Sequence, residues 1–289
     1  MPVAYYSSWY LAHHNNNMGA FWRDYFTTEG WPAGPPWFIW VLFAFNAIYA
    51  LCYPYTSARL NKITTYLASR KQHPLTIFLI GYLLTWVVYV PFVLLVGPGA
   101  WTGIGPFDFQ ISRVLLYFVF FLLGTLFSIP ALETGLFSNS SALVKKWPLW
   151  LIGALSAYTL LKLSEPPLTR MLREHELTRL QATLLYRSIW ALSCTVSSIA
   201  FLTLFKTFFN KHRWTSLSDN AYGIYLVHYI FVLWCQFALL NYNLPAGIKF
   251  LTTFILSASL SWLTVYLLRK NRRVRNPDTQ TTPTTVPPG

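Results

Sequence analysis

The sequence predicts an all-α fold, a polytopic bundle of transmembrane helices with about seven spans. Three observations predict it. Apolar residues make up 54% of the 289 and charged residues only 11%, against about 25% charged in a typical soluble domain. Mean hydropathy is +0.40. The apolar residues gather into runs long enough, or nearly so, to cross a hydrocarbon core of about 30 Å. A disordered chain is excluded by the apolar content, and too little charge remains to coat a water-soluble globule.

The first 36 residues are polar and aromatic and form an extracytoplasmic segment. They lack the basic stretch and apolar core of a signal peptide. Seven runs follow: Trp37–Tyr53, Leu75–Val96, Val114–Ile129, Trp147–Leu161, Ser188–Phe209, Ala221–Leu240 and Ile248–Leu268. The third and fourth are the shortest. Residues 37–268 thus form the membrane domain. Residues 269–289 form a tail that begins RKNRRVR and continues as the Thr/Pro-rich NPDTQTTPTTVPPG, whose composition predicts disorder. There is no internal repeat.

Net charge is +13. The Lys and Arg residues sit in the connections between spans, so they read as orientation signals and nucleic acid is excluded as a partner. Counted on alternate sides, 8 fall with the N-terminal segment and 14 with the C-terminal tail. The richer side is expected to be cytoplasmic, which puts the N-terminus outside and the C-terminus inside. The connection Lys162–Arg187 also carries Glu165, Glu174 and Glu176, and it is expected to form a short amphipathic piece on the outer surface.

No Asp or Glu lies inside the seven runs, which weakens an ion-coupled transporter. His228 is the one imidazole within a run, set in SLSDNAYGIYLVHYI. Tyr225 and His228 share a helix face. His228 is either a packing histidine bonded to a neighbouring helix or a group in a substrate or catalytic cavity. Ser216, Ser218 and Asp219 fit a helix cap. In GWPAGPPWFIW, Pro36 suits a first helical turn and Trp37 and Trp40 suit the membrane interface. Arg113 either binds a phosphate or carboxylate or snorkels to the boundary. Gly81, Gly124, Gly153 and Gly223 suit close helix packing.

Other signatures are absent. Three Cys give neither a disulfide framework nor a zinc spacing, and no metal site is expected. His13 and His14 are adjacent and so point apart. HELTR, from His175, lacks the second His of a zinc protease. There is no Walker A sequence, no GxGxxG and no GxSxG elbow.

In this order, GPPWFIWVLFAFNAIYAL, FQISRVLLYFVFFLLGTLF and SLSDNAYGIYLVHYIFVLWCQFALL resemble the latter part of the acyltransferase 3 family, multi-pass membrane O-acyltransferases. The Tyr222–His228 element is its most specific part. The resemblance extends to Leu268 and implies that the family's first three spans are absent, together with a His of the first span. It implies transfer of an acyl group from acyl-CoA, a donor substrate and not a bound cofactor, to a hydroxyl of an extracytoplasmic glycan or lipid-linked acceptor. By the same resemblance the base is the absent first-span His, and His228 is the catalytic candidate that remains in this chain, in a supporting role. Tyr225 would line the acyl channel with it, and Trp37 and Arg113 would shape the acceptor mouth. Arg59 and Lys62, with Arg70 and Lys71, would hold CoA phosphates; orientation explains these four equally well. A bacterial inner membrane is the expected location. The rival classes are a glycan transporter or flippase, and a non-catalytic subunit paired with a second membrane chain.

Overall fold

A computed structural model describes residues 2–14, 16–27, 37–103, 107–127, 134–209 and 215–275. All seven predicted runs fall on helices over their described residues. The helices are α1 (Pro2–His13), α2 (Met18–Thr27), α3 (Trp37–Ser69), α4 (Pro74–Val96), α5 (Val114–Phe127), α6 (Ala142–Lys145), α7 (Trp147–Arg173), α8 (Arg179–Phe208), α9 (Thr215–Leu239) and α10 (Ala246–Arg275). No strand occurs among the described residues; Trp101 and Gln110 form one isolated bridge. Five helices are long and apolar enough to cross a membrane: α3, α4, α8, α9 and α10 through Lys270. The 14 residues of α5 rise only about 21 Å, less than the hydrocarbon thickness. Helix α7 carries Lys162, Glu165, Arg170 and Arg173 in its second half.

The described chain groups into two compact units, one of Met1–Pro36 with His212–Gly289 and one of Trp37–Lys211. In the first, α10 packs on α9, and α1 packs on the C-terminal half of α9. The contacts between α1 and α9 are aromatic. Tyr5 meets Tyr229, Tyr6 stacks on Trp234, and Tyr10 meets Phe237. Trp234 Nε1 also donates to the Val3 carbonyl at 2.9 Å. The polar N-terminal segment therefore contains two helices. Asn17 starts the second, its Oδ1 accepting from the N–H groups of Gly19 and Ala20.

In the second unit, α8 packs along α7 and α4. Tyr89, Val90, Val93 and Leu116 form one buried cluster; Leu67, Leu126, Leu136 and Leu143 form another. Outside these clusters the helices are apolar on their surface, with Leu51 and Leu95 at 75% and 83% exposure. A hydrocarbon solvent accounts for that, because lipid tails are as apolar as leucine.

The structure corrects two expectations. The connection Lys162–Arg187 is not a separate surface piece. It is the end of α7, a tight turn at residues 174–178, and the start of α8. His175 sits in that turn at φ 59°, the left-handed conformation that ends many helices. Thr178 then opens α8 with a reciprocal cap, its hydroxyl accepting from Gln181 N and Gln181 Oε1 accepting from Thr178 N. The second correction is at α3, which does not stop near Tyr53 but runs on through Pro54 to Ser69. The basic start of the C-terminal tail continues α10 as far as Arg275, and residues 276–289 lie outside the described residues. So do residues 30–36 of the GWPAGPPWFIW segment.

Candidate functional site

Two places concentrate polar chemistry, one in each unit. In the first unit α9 carries the Tyr222–His228 element. Gly223 faces α10, where a Cβ would meet Val265 Cγ1 at 2.6 Å. Asn220, buried on that side, donates from Nδ2 to the Ser216 carbonyl and accepts from Arg269 Nη1 at 3.0 Å. Arg269 also donates to the Asp219 carbonyl. Trp262 Nε1 donates to Ser216 Oγ at 3.1 Å. The Ser216–Asn220 segment thus clamps α9 to α10 through side chains of both helices.

His228 stands about 140° round the α9 axis from Gly223, off that packed edge. Its Nδ1 lies 2.6 Å from the Tyr225 carbonyl, one turn back on the same helix. A carbonyl only accepts, so Nδ1 is the donor here and Nε2 is the ring nitrogen not engaged in that bond. The partner of His228 therefore comes from its own helix and not from a neighbouring one. The Tyr225 and His228 rings lie 5.7 Å apart.

The second unit holds the other place. Residues Ile111–Arg113 make one 3-10 turn that leads straight into α5. The Arg113 guanidinium carbon lies 5.5 Å from the centre of the Trp190 ring, a cation–π distance. Trp190 in turn lies 4.3 Å, centroid to centroid, from Tyr89. The Tyr89 hydroxyl accepts from Arg187 Nη1 at 3.0 Å. Two guanidinium groups therefore meet one Tyr–Trp pair, Tyr89 buried and Trp190 half-buried, and Arg187 also lies 5.3 Å from the centre of the Tyr186 ring. Arg113 Nε and Arg187 Nε are both buried without a hydrogen-bond partner, as is the Ser112 hydroxyl. Among the described residues neither Arg pairs with a carboxylate.

Arg187 also lines an open cavity of about 650 Å³ between the end of α4, the second half of α7 and the start of α8. Its lining mixes apolar side chains, among them Val93, Leu94, Leu168 and Leu180, with polar ones, among them Glu165, Thr169, Arg179 and Thr183.

The remaining candidates are placed as follows. Trp37 opens α3 and packs on Tyr117 of α5, ring centroids 5.8 Å apart. Tyr117 is one turn beyond Arg113, so Trp37 and Arg113 flank the same helix start. Arg59 and Lys62 are exposed and one turn apart on α3. They lie about 33 and 37 Å along that helix from Trp37, too far to contact the same small group. No cluster of His, Cys, Asp and Glu fit to hold a metal occurs among the described residues. Arg187, Tyr89, Trp190 and Ser112 were not singled out by the sequence reading. A signal existed, since Arg187 lies between Tyr186 and Ser188-Ile189-Trp190 in a long apolar helix, where a cation is costly.

A family model described as an acyltransferase domain, that of acyltransferase 3, matches residues 1–269. The chain belongs to the acyltransferase 3 family. The match reaches into both units and includes every residue named in the two polar places. The chain presents an imidazole on α9 bonded through Nδ1 to its own helix, and, in the other unit, the Arg187 guanidinium held by Tyr89 beside a cavity. No curated protein and no solved structure matches the chain.

Proposed function

We propose that the chain is a membrane O-acyltransferase that moves an acyl group from acyl-CoA to a hydroxyl of an extracytoplasmic glycan or similar acceptor. The family match over residues 1–269 carries this reading. The reaction breaks the thioester C–S bond and forms an ester C–O bond. The acceptor hydroxyl loses its proton to a base, and the leaving CoA thiolate takes one up. His228 is the base we assign, because its Nδ1–H is fixed on the Tyr225 carbonyl and Nε2 is left to accept. Tyr225 sets the imidazole's tautomer through its carbonyl. Arg59 and Lys62 are assigned to the CoA phosphates, as exposed cations one turn apart on α3. The inner membrane, with the N-terminus outside, is the location this reading uses, since acceptor and donor then meet from opposite faces.

The test is acceptor-dependent release of CoA from acetyl-CoA in membranes that contain the chain. We expect release above empty membranes, and a fall of about 10²–10⁴-fold in His228→Ala with insertion unchanged. Release equal to that of empty membranes overturns the transferase reading. Full release by His228→Ala overturns the role of His228 alone.

A further inference from the structure

We propose that the cavity between α1 and α2 binds a trimethylammonium group against the Asp24 carboxylate. Acyl transfer plays no part in this site. The cavity measures about 250 Å³ and is lined by Tyr5, Trp9 and His13 of α1 and by Phe21, Asp24 and Tyr25 of α2. At roughly 30 Å³ for each water-sized atom it has room for a group of this size. Tyr5 and Tyr25 stand at 65° to each other, and Trp9 and Phe21 at 70°. The rings therefore meet at corners, as walls do, and do not form one flat stack.

What the walls carry selects a cation. Asp24 is the one acid of α1 and α2, and no Lys or Arg lines the cavity. Its Oδ2 accepts from Trp9 Nε1 at 3.1 Å, so an indole of the lining holds the carboxylate. Its Oδ1 has Arg23 Nε at 3.6 Å, beyond hydrogen-bond distance. Arg23 is exposed, and a surface pair of this kind is weak. His13 Nδ1 donates to the Trp9 carbonyl at 3.0 Å, and its Nε2 stands 4.0 Å from Asp24 Oδ2. Aromatic rings and a carboxylate both attract positive charge, the rings through the negative potential of their faces. A primary ammonium brings three N–H donors and needs as many acceptors, where Asp24 supplies the one carboxylate. A trimethylammonium group has no N–H to satisfy, and its methyl groups pack on rings.

The depth of the cavity fits the same ligand. Helix α1 runs beside α9 in the same direction, with Tyr5 at Tyr229, Tyr6 at Trp234 and Tyr10 at Phe237. Trp9 and His13 therefore stand level with the end of α9 at Leu239, where a helix long enough to span leaves the hydrocarbon. The choline headgroups of phospholipids lie at that depth, and small soluble trimethylammonium compounds reach it from the water. Both sources carry the same cation.

The test is equilibrium dialysis of radiolabelled choline against the whole chain in dodecylmaltoside micelles. We expect saturable binding that tetramethylammonium displaces. The neutral isostere 3,3-dimethyl-1-butanol, which has choline's shape without its charge, should displace it about tenfold less well. These readings use the wild type and need no variant to fold. Asp24→Asn still accepts the Trp9 N–H and should weaken choline binding about fivefold. Arg23→Gln removes a competing cation and should tighten it. Dihexanoylphosphatidylcholine that displaces the label at a lower concentration than free choline identifies a phospholipid headgroup as the ligand; displacement by free choline alone identifies a soluble solute. Absence of saturable binding, equal displacement by the neutral isostere or by ammonium chloride, unchanged binding in Asp24→Asn, or weaker binding in Arg23→Gln overturns the proposal. Displacement by methyl glucoside and not by tetramethylammonium also overturns it and assigns the cavity to a sugar.

Discussion

Gly223→Ala tests how the most specific sequence element of the family is built into the fold. A methyl on Gly223 would stand 2.6 Å from Val265 Cγ1 and 2.9 Å from Cγ2. Carbon atoms in contact prefer about 3.5–4.0 Å, so both distances are short by close to 1 Å. Val265 cannot easily turn away, since a β-branched side chain in a helix has one strongly preferred rotamer. It is also buried, at 7% exposure. Helices α9 and α10 must then part, and overpacking of this kind costs about 1–3 kcal/mol. Against it stands the helix propensity gained on replacing Gly, about 1 kcal/mol. The net expectation is a loss of up to about 2 kcal/mol. The assay is reversible unfolding in mixed dodecylmaltoside and SDS micelles of Gly223→Ala, Val265→Ala and the double variant. Trimming Val265 should make room for the new methyl, so the double variant should be more stable than the sum of the single losses predicts, by about 1 kcal/mol. Additive losses, or a Gly223→Ala protein at least as stable as wild type, would refute the packing argument.

Two further outcomes are expected. Trp86 Nε1 donates to Ser188 Oγ at 2.8 Å and ties α4 to α8, so Ser188→Ala should cost about 0.6 kcal/mol and no more than about 1.7, measured in the same micelles. Burial holds the Tyr25 phenol above its ordinary value of 10.0. The unfolded chain therefore loses this proton first as pH rises, and above pH 10.0 stability should fall more steeply in wild type than in Tyr25→Phe, by thermal unfolding; parallel slopes would refute it.

How much of this was legible in the sequence depended on which force decided each feature. Burial in hydrocarbon decides the spans, and apolar runs report it directly; each of the seven falls on a helix over its described residues, five of them long and apolar enough to cross. Helix ends are decided by local hydrogen bonding, which hydropathy does not see. Helix α3 passes Pro54 and continues for 15 more residues, with Thr56, Thr64 and Thr65 bonding back to the carbonyls of Cys52, Leu60 and Asn61. The start of α8 was written in Thr178 and Gln181, a capping pair spaced to satisfy two N–H groups. Reading only apolarity there placed the boundary at Ser188, nine residues late.

That boundary also hid the second polar place. Arg187 fell one residue outside the predicted run, so it was counted as an orientation charge among the loop cations. Seated within α8 it becomes a cation held by Tyr89 inside the second unit. Tyr89 itself could not be recognised from sequence, because its role comes from α4 lying beside α8, a contact 98 residues apart along the chain. His228 and Arg113 were legible because each is a lone polar group in an apolar stretch, where the cost of burial itself marks the residue. What that rule cannot supply is the partner. For His228 the partner is one turn away and could be guessed; for Arg113 it is an indole on another helix, and only the fold reveals that the guanidinium meets a ring and no carboxylate.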